Sequence, residues 1–313
     1  MSATTADLLT LTLWICVLLI ALGLFGEAMR RRGDPDRPSP ALESYLMRVQ
    51  SWWAMVILLA LALLLGRAGV VVLFGFASFA ALREFLTLTA KAQADHIALA
   101  LAFFVILPLQ FVFVGLRWEG ASATFIPIYA FLGLPILSAL RGNPQRFLIR
   151  VAETQWGLMI AVFCVSYVPA LMMLDLPDHG DRAILLIAFL VIVVQLGDLL
   201  EYFIGRRIGR RRIAPGLAPK TWEGMASGVA CAAAIGAALS WITPFGPWGA
   251  AAMAAAASAA GQFGSLVMAA IKRDRGIKDW SHMIPGQGGV LDQFDSVVFA
   301  APVFYHLART FWG

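Results

Sequence analysis

The stretch KRDRGIKDWSHMIPGQGGVLDQFDS, residues 272–296, is dense in charge and glycine, yet it lies between two strongly apolar runs near the end of the chain. Lys272, Arg273, Lys278, Asp279, Asp292 and Asp295 all fall inside it. Ionisable groups at the edge of an apolar bundle are costly to keep there, which makes them candidates for function. What flanks the stretch therefore decides how it is read.

What flanks it is suited to lipid. Of 313 residues, 60% are hydrophobic and 14% charged, and the mean hydropathy is +0.78. Soluble domains are about 45–50% apolar and about 25% charged. The apolar runs are near-continuous and lack the alternation of a barrel strand. Taking roughly 20 apolar residues per span, spans are predicted near 8–26, 52–66, 69–90, 97–116, 122–140, 155–175, 183–204, 225–243, 248–271 and 290–311. The expected fold is an all-α integral membrane protein, a bundle of about ten transmembrane helices. The second run is short, and the Gly66–Gly69 link allows a kink within one longer element. The opening MSATTADLL has no basic segment and reads as the start of a retained first span. Cys16, Cys164 and Cys231 lie in apolar runs and read as small buried hydrophobes, without metal spacing. The Ala-rich run 249–261 reads as a close helix–helix contact.

Basic residues orient the bundle. Of the 24 Lys and Arg residues, 19 fall in the gaps 27–51, 91–96, 141–153, 205–224 and 272–289, which alternation puts on one side. Four fall on the other side, and Arg83 lies within a span. Positive charge marks the cytoplasmic side, so both termini are expected to face away from it. The same asymmetry accounts for the basic balance through topology and anionic lipid, with no nucleic-acid partner.

Three places near the predicted cytoplasmic ends of the last four spans carry candidate chemistry. Asp198, Glu201 and Tyr202 are three and four residues apart, on one helix face. The loop 206–224 is rich in arginine, and its Lys220 and Thr221 just before a helix suit a phosphate. In the opening stretch, Gly286, Gly288 and Gly289 precede a helix whose N-terminal dipole favours an anion. Asp292 and Asp295 are three apart, hence on one face of that helix. Two carboxylates beside Lys272, Arg273 and Lys278 fit a magnesium–polyphosphate site, since magnesium takes one or two carboxylates plus substrate phosphates. Of the histidines, His96, His179 and His306 are scattered, and only His282 is near. Carboxylates gathered at one face argue against a transporter, whose sites lie at the midplane.

At these residues the sequence resembles the CDP-diacylglycerol synthases, or phosphatidate cytidylyltransferases. The family pattern is met by Lys272-Arg273, Lys278-Asp279, Pro285-Gly286, Gly288-Gly289, Asp292 and Asp295. Upstream, Asp198, Tyr202, Gly205 and Gly209 match a second element, and Pro219-Lys220-Thr221-Trp222-Glu223-Gly224 a third. The likeness covers roughly residues 195–305; before that it rests on hydropathy. It divides the chain into N-terminal membrane helices, 1–180, and a catalytic membrane region, 181–313.

The resemblance implies transfer of a cytidylyl group from CTP to phosphatidic acid, giving CDP-diacylglycerol and pyrophosphate. Asp292 and Asp295 are then expected as ligands of magnesium, alone or with a second cation. Lys272, Arg273, Lys278 and Asp279 join them in catalysis. Asp198, Tyr202, Lys220, Thr221, Glu223, Gly288 and Gly289 are expected to bind substrate. The location implied is a bacterial inner membrane, with the site facing the cytoplasm; a homodimer is compatible with the sequence. The chain departs from the family pattern at Ser265, where an Asp is usual, and at Ala269, Gln287 and Gln293. Glu201 is placed to return the missing carboxylate. A catalytically silent paralogue that binds lipid or nucleotide, or a CTP-dependent transferase with another lipid acceptor, are the alternatives.

Overall fold

A computed structural model gives the fold and describes residues 3–32, 40–89, 95–176 and 180–313. Arg37, Lys91 and His179 lie outside the described residues. Among those described there is no strand, only two isolated bridges, Arg212–Thr221 and Ile284–Gly288.

The helices are α1 (Ala3–Arg32), α2 (Pro40–Leu64), α3 (Gly66–Thr87), α4 (His96–Gly115), α5 (Glu119–Ala139), α6 (Phe147–Met173), α7 (Arg182–Ile208), α8 (Trp222–Ala238), α9 (Gly246–Asp274), α10 (Val290–Phe294) and α11 (Val297–Trp312). A helix stands at each predicted span. Eight of them, α1 to α7 and α9, are long and apolar enough to cross a membrane. With 17 residues in α8, 5 in α10 and 16 in α11, the other three each fall short of the roughly 20 a full span needs. The protein is an all-α integral membrane bundle.

Two local expectations are corrected. The Gly66–Gly69 link is a turn between separate helices: Gly66 has φ +69°, and α2 packs back on α3. The last predicted span is interrupted. A turn at Asp295 and Ser296 separates α10 from α11, so Asp292 and Asp295 do not share one unbroken helix.

Small residues set the packing of the last helices. Ala250, Ala254 and Ala257 of the Ala-rich run are fully buried, and a Cβ at Gly236 of α8 would meet the Ala250 carbonyl of α9 at 2.7 Å. A Cβ at Gly197 of α7 would meet Ser258 Oγ at 2.6 Å. Close approach of backbones through small side chains is how helices associate where lipid removes the hydrophobic drive. In the N-terminal half the helices are less regular. Wide π turns occur at Ala102–Ile106, Phe125–Ala130 and Met159–Cys164. Pro108 follows the first and Pro127 lies in the second, each lacking the N–H that a regular turn would use.

Ion pairs pin the helix ends. Arg150 pairs with Asp95 and Arg275 with Glu153, both at 2.7 Å. Arg182 pairs with Asp7 at 2.6 Å and Arg309 with Glu119 at 2.8 Å. Each pair joins two residues that the alternation of gaps puts on the same side. The Arg275–Glu153 pair also ties the end of α9 to α6, so the N-terminal helices reach the motif-bearing end.

The α8–α9 contact gives a direct stability test. Gly236→Val is expected to lower the melting temperature of the detergent-solubilised protein, at a cost of about 1–3 kcal/mol for overpacking. Gly120→Ala, where an added Cβ meets nothing within 4 Å, is expected to be neutral or slightly stabilising. Equal melting of wild type and Gly236→Val would contradict the packing described.

Candidate active site

The site forms where the ends of α3, α7 and α9 meet the 276–296 segment. Its first half is a closed loop. Ile284 and Gly288 exchange backbone hydrogen bonds of 2.8 and 3.1 Å. Gly286 and Gly288 have φ +74° and +89°, conformations open to glycine. At Gly288 a side chain is also excluded by space, because a Cβ would meet Asp292 Oδ2 at 2.5 Å.

Asp292 organises this loop. Lys272 Nζ donates to its Oδ1 at 2.9 Å. The backbone N–H groups of Trp280 and Gly289 both donate to its Oδ2 at 2.8 Å. Both oxygens are thus engaged by the protein, and the contact to Gly289 caps α10. This corrects the expectation that the glycine-rich turn aims free N–H groups at a phosphate. The Gly288 N–H bonds to Ile284, and the next three are taken by carboxylates.

The second of those carboxylates comes from Glu84, which the sequence reading missed. It sits near the end of α3, only 4% exposed. Oε1 accepts from Val290 N at 2.9 Å and Ser281 Oγ at 2.7 Å, and Oε2 accepts from Leu291 N at 2.8 Å. Its signal in sequence was an acidic residue inside an apolar run next to Arg83, without a motif around it.

The other half of the site is on α7. Glu201 is buried and lies 3.5 Å from Lys220 Nζ, while Asp198 Oδ1 is 3.9 Å from the same nitrogen. Asp198 Oδ1 is buried and makes no hydrogen bond. Asp295 lies within electrostatic range of Asp198, Lys272 and Lys220. Ser296 donates to Asp295 at 3.2 Å and is within hydrogen-bonding reach of Asp198. Asp198 and Lys220 are thus neighbours, with Ser296 next to both Asp198 and Asp295 and with Lys272 in electrostatic range of Asp295.

The remaining candidates divide. Thr221 caps α8, accepting from Gly224 N at 3.2 Å. Glu223 Oε2 accepts from Arg210 N and Arg211 N at 3.0 and 3.1 Å, pinning the arginine-rich loop. Those hydrogen bonds, Arg210's foremost, hold the Glu223 carboxyl below the usual carboxylate range. Thr221 and Glu223 are thus used to build the turn that delivers Lys220. Tyr202 is 52% exposed, and its hydroxyl accepts from Arg206 at 3.4 Å; it lies off the cluster. Arg273 is exposed and donates to the Leu217 carbonyl at 3.4 Å. Lys278 and His282 are exposed, and Asp279 is half-buried beside Gly288.

The departures from the family pattern are structurally engaged. Gln287 donates to the Arg48 carbonyl at 2.9 Å, Gln293 to the Gln287 carbonyl at 3.1 Å, and Gln195 to the Gln293 carbonyl at 3.0 Å. A chain of amides thereby joins α2 to α7 across the loop. Ser265 is buried and bonds back to the Gln262 carbonyl at 2.9 Å. Glu201 is held by Lys220.

The two aspartates of the motif should separate by stability. Asp292→Asn leaves Lys272 without its anion and sets an amide against backbone donors. The loss expected is about 3–5 kcal/mol, as for a broken buried pair. Asp295 shares its surroundings with Asp198, so Asp295→Asn relieves repulsion and is expected to melt at or above wild type. Thermal unfolding in detergent measures both; the reverse order would contradict the assignment.

Comparison with known proteins places the chain in a family. The model of the cytidylyltransferase family matches residues 46–311. A protein of Escherichia coli K12 described as uncharacterized, YnbB, is 33% identical over 265 residues, covering 84% of this chain and 87% of that protein. A phosphatidate cytidylyltransferase of Bacillus subtilis is 28% identical over 221 residues, 69% of this chain and 78% of that enzyme. One of Brucella abortus is 39% identical over 127 residues, 40% of this chain and 47% of that enzyme. The family match begins far upstream of the motifs, in the helix before the one that carries Glu84. The chain is a member of the cytidylyltransferase family, built as a multi-pass membrane bundle.

Proposed function

We propose that this protein transfers a cytidylyl group from CTP to phosphatidic acid, forming CDP-diacylglycerol and pyrophosphate, at the cytoplasmic face of a bacterial inner membrane. The observation that carries the reading is the placement of Asp198, Lys220 and Lys272 within electrostatic range of Asp295, at the basic end of the bundle, where a lipid and a cytosolic nucleotide can meet.

A divalent cation fits there. Asp198 Oδ1 is a buried carboxylate oxygen without a hydrogen-bond partner, and Asp295 is within electrostatic range of it. Among the described residues no three His, Cys, Asp or Glu side chains form a ready ligand set. Asp198 and Asp295 would hold magnesium, leaving most of its shell to water and phosphate oxygens, as magnesium prefers. Bound there, the ion would supply charge neutralisation for phosphoryl chemistry. In this assignment Asp198 takes the place first given to Asp292, whose oxygens are engaged by Lys272 and backbone.

The rest falls to the chain's own groups. A phosphate oxygen of the lipid attacks the α-phosphorus of CTP; the bond from that phosphorus to the β-bridging oxygen breaks, and pyrophosphate leaves with its electron pair. Lys272, fixed by Asp292, and Lys220 offset the negative charge that develops on the non-bridging and leaving oxygens. Arg273 and Lys278, exposed at the rim, attract the triphosphate.

Purified protein with α-labelled CTP, phosphatidic acid and magnesium is expected to place label in the lipid fraction. Asp295→Asn and Lys272→Gln should each lower turnover by about 100-fold or more. The second reading is a transferase with another lipid acceptor. Label appearing only with a different lipid would select it. Wild-type protein that labels no lipid at all would contradict both readings. For orientation, cysteines placed at Arg211 and Gly276 should resist an impermeant reagent added outside intact cells; their labelling would reverse the topology.

A further inference from the structure

We infer that Glu84, in a helix that carries none of the motifs, is the positioning residue that sets the active-site loop, acting through the N-terminus of α10 on Asp292 and Lys272. The activity arm of this inference rests on the proposed function; its structural arm does not.

The first N–H groups of a helix need acceptors, and here these groups face the interior. Gly289 N is satisfied by Asp292, and Val290 N and Leu291 N by Glu84. The two carboxylates divide the end of α10 between them. Glu84 also accepts from Ser281 on the incoming arm of the loop, next to Trp280, whose N–H bonds to Asp292. Trp280 in turn stacks on Phe85, the neighbour of Glu84, with ring centroids 5.3 Å apart. Both arms of the loop are thus referenced to one turn of α3. A Cβ at Gly289 would meet Glu84 Oε2 at 2.5 Å, so this glycine is needed to admit the carboxylate rather than to grip a ligand.

The consequence is geometric. With Glu84 in place, Asp292 has a fixed oxygen for Lys272 Nζ at 2.9 Å. Without it, Val290 N and Leu291 N are orphaned, beside an Asp292 carboxylate that already accepts from the neighbouring Gly289 N and would be drawn toward them. Lys272 would then lose its fixed partner. Glutamine at position 84 keeps size and polarity but opposes an amide N–H₂ to a backbone donor, so it tests the charge and not the packing.

Hydrogen exchange and kinetics on Glu84→Gln, Asp292→Asn and the double variant test this. For Glu84→Gln, exchange in peptides covering 281–291 is expected to rise about tenfold, with α8 and α9 unchanged. Turnover should fall about 10–100-fold, as when a group holding an active-site residue is lost. In the Asp292→Asn background, Glu84→Gln should cost less than about twofold more, because both act on one element. Ser281→Ala should show a smaller exchange increase at the same peptides. Unchanged exchange across 281–291, an increase spread evenly over the chain, or fully additive losses would each overturn the inference. Wild-type protein without transferase activity would end the proposed function, while the exchange pattern would still decide the role of Glu84.

Discussion

The carboxylate of Asp292, held between the Lys272 ammonium and two backbone N–H groups, is the interaction on which the rest of the site depends. It closes the loop after α9 onto the start of α10 and fixes the direction of Lys272. A buried ion pair is weak as a source of net stability, because desolvation offsets most of its attraction, but removing one partner is costly. The pair thus specifies geometry. Gly288 is glycine because that carboxylate occupies the space of its side chain.

Around this centre the molecule separates supporting groups from groups left available. Thr221, Glu223, Gln287, Gln293 and Glu84 are spent on backbone. Lys220, Asp198 and Asp295 are brought together from three segments with few protein hydrogen bonds of their own. Buried polar groups in folded proteins are almost always satisfied. The unsatisfied Asp198 oxygen therefore marks where a ligand's charge would be welcome.

Much of this was legible in the sequence. Apolar runs located a helix at each predicted span, though the last is split in two, and the alternation of basic gaps agrees with the ion pairs that join helix ends. Fixed spacing among lysines, glycines and aspartates pointed to the segment in which Asp292, Lys272 and the glycine turn are joined by hydrogen bonds. Three things were not legible. The turn at Asp295 and Ser296 leaves no local mark, since both residues keep helical dihedrals, so the three-residue spacing of Asp292 and Asp295 suggested a pair that the fold divides. Whether the glycine turn's N–H groups were free depended on Glu84, about 200 residues away in sequence, and no local pattern reports such a contact. The exposure of Tyr202, four residues from Asp198 and next to the buried Glu201, followed from how α7 rotates against α8 and α9. Ser265 and the two glutamines read as losses from a family pattern; in the fold the glutamines bridge α2 and α7, and Ser265 satisfies itself within α9.

The central proposal is that Asp198 of α7 and Asp295, at the turn between α10 and α11, would jointly hold the cation that the proposed chemistry needs. The most direct measurement is the magnesium dependence of label transfer from CTP to phosphatidic acid in wild type and Asp198→Asn. The account predicts that Asp198→Asn needs at least about tenfold more magnesium for half-maximal rate, as expected when a ligand oxygen is lost. A magnesium dependence identical to wild type, at any residual rate, would contradict it.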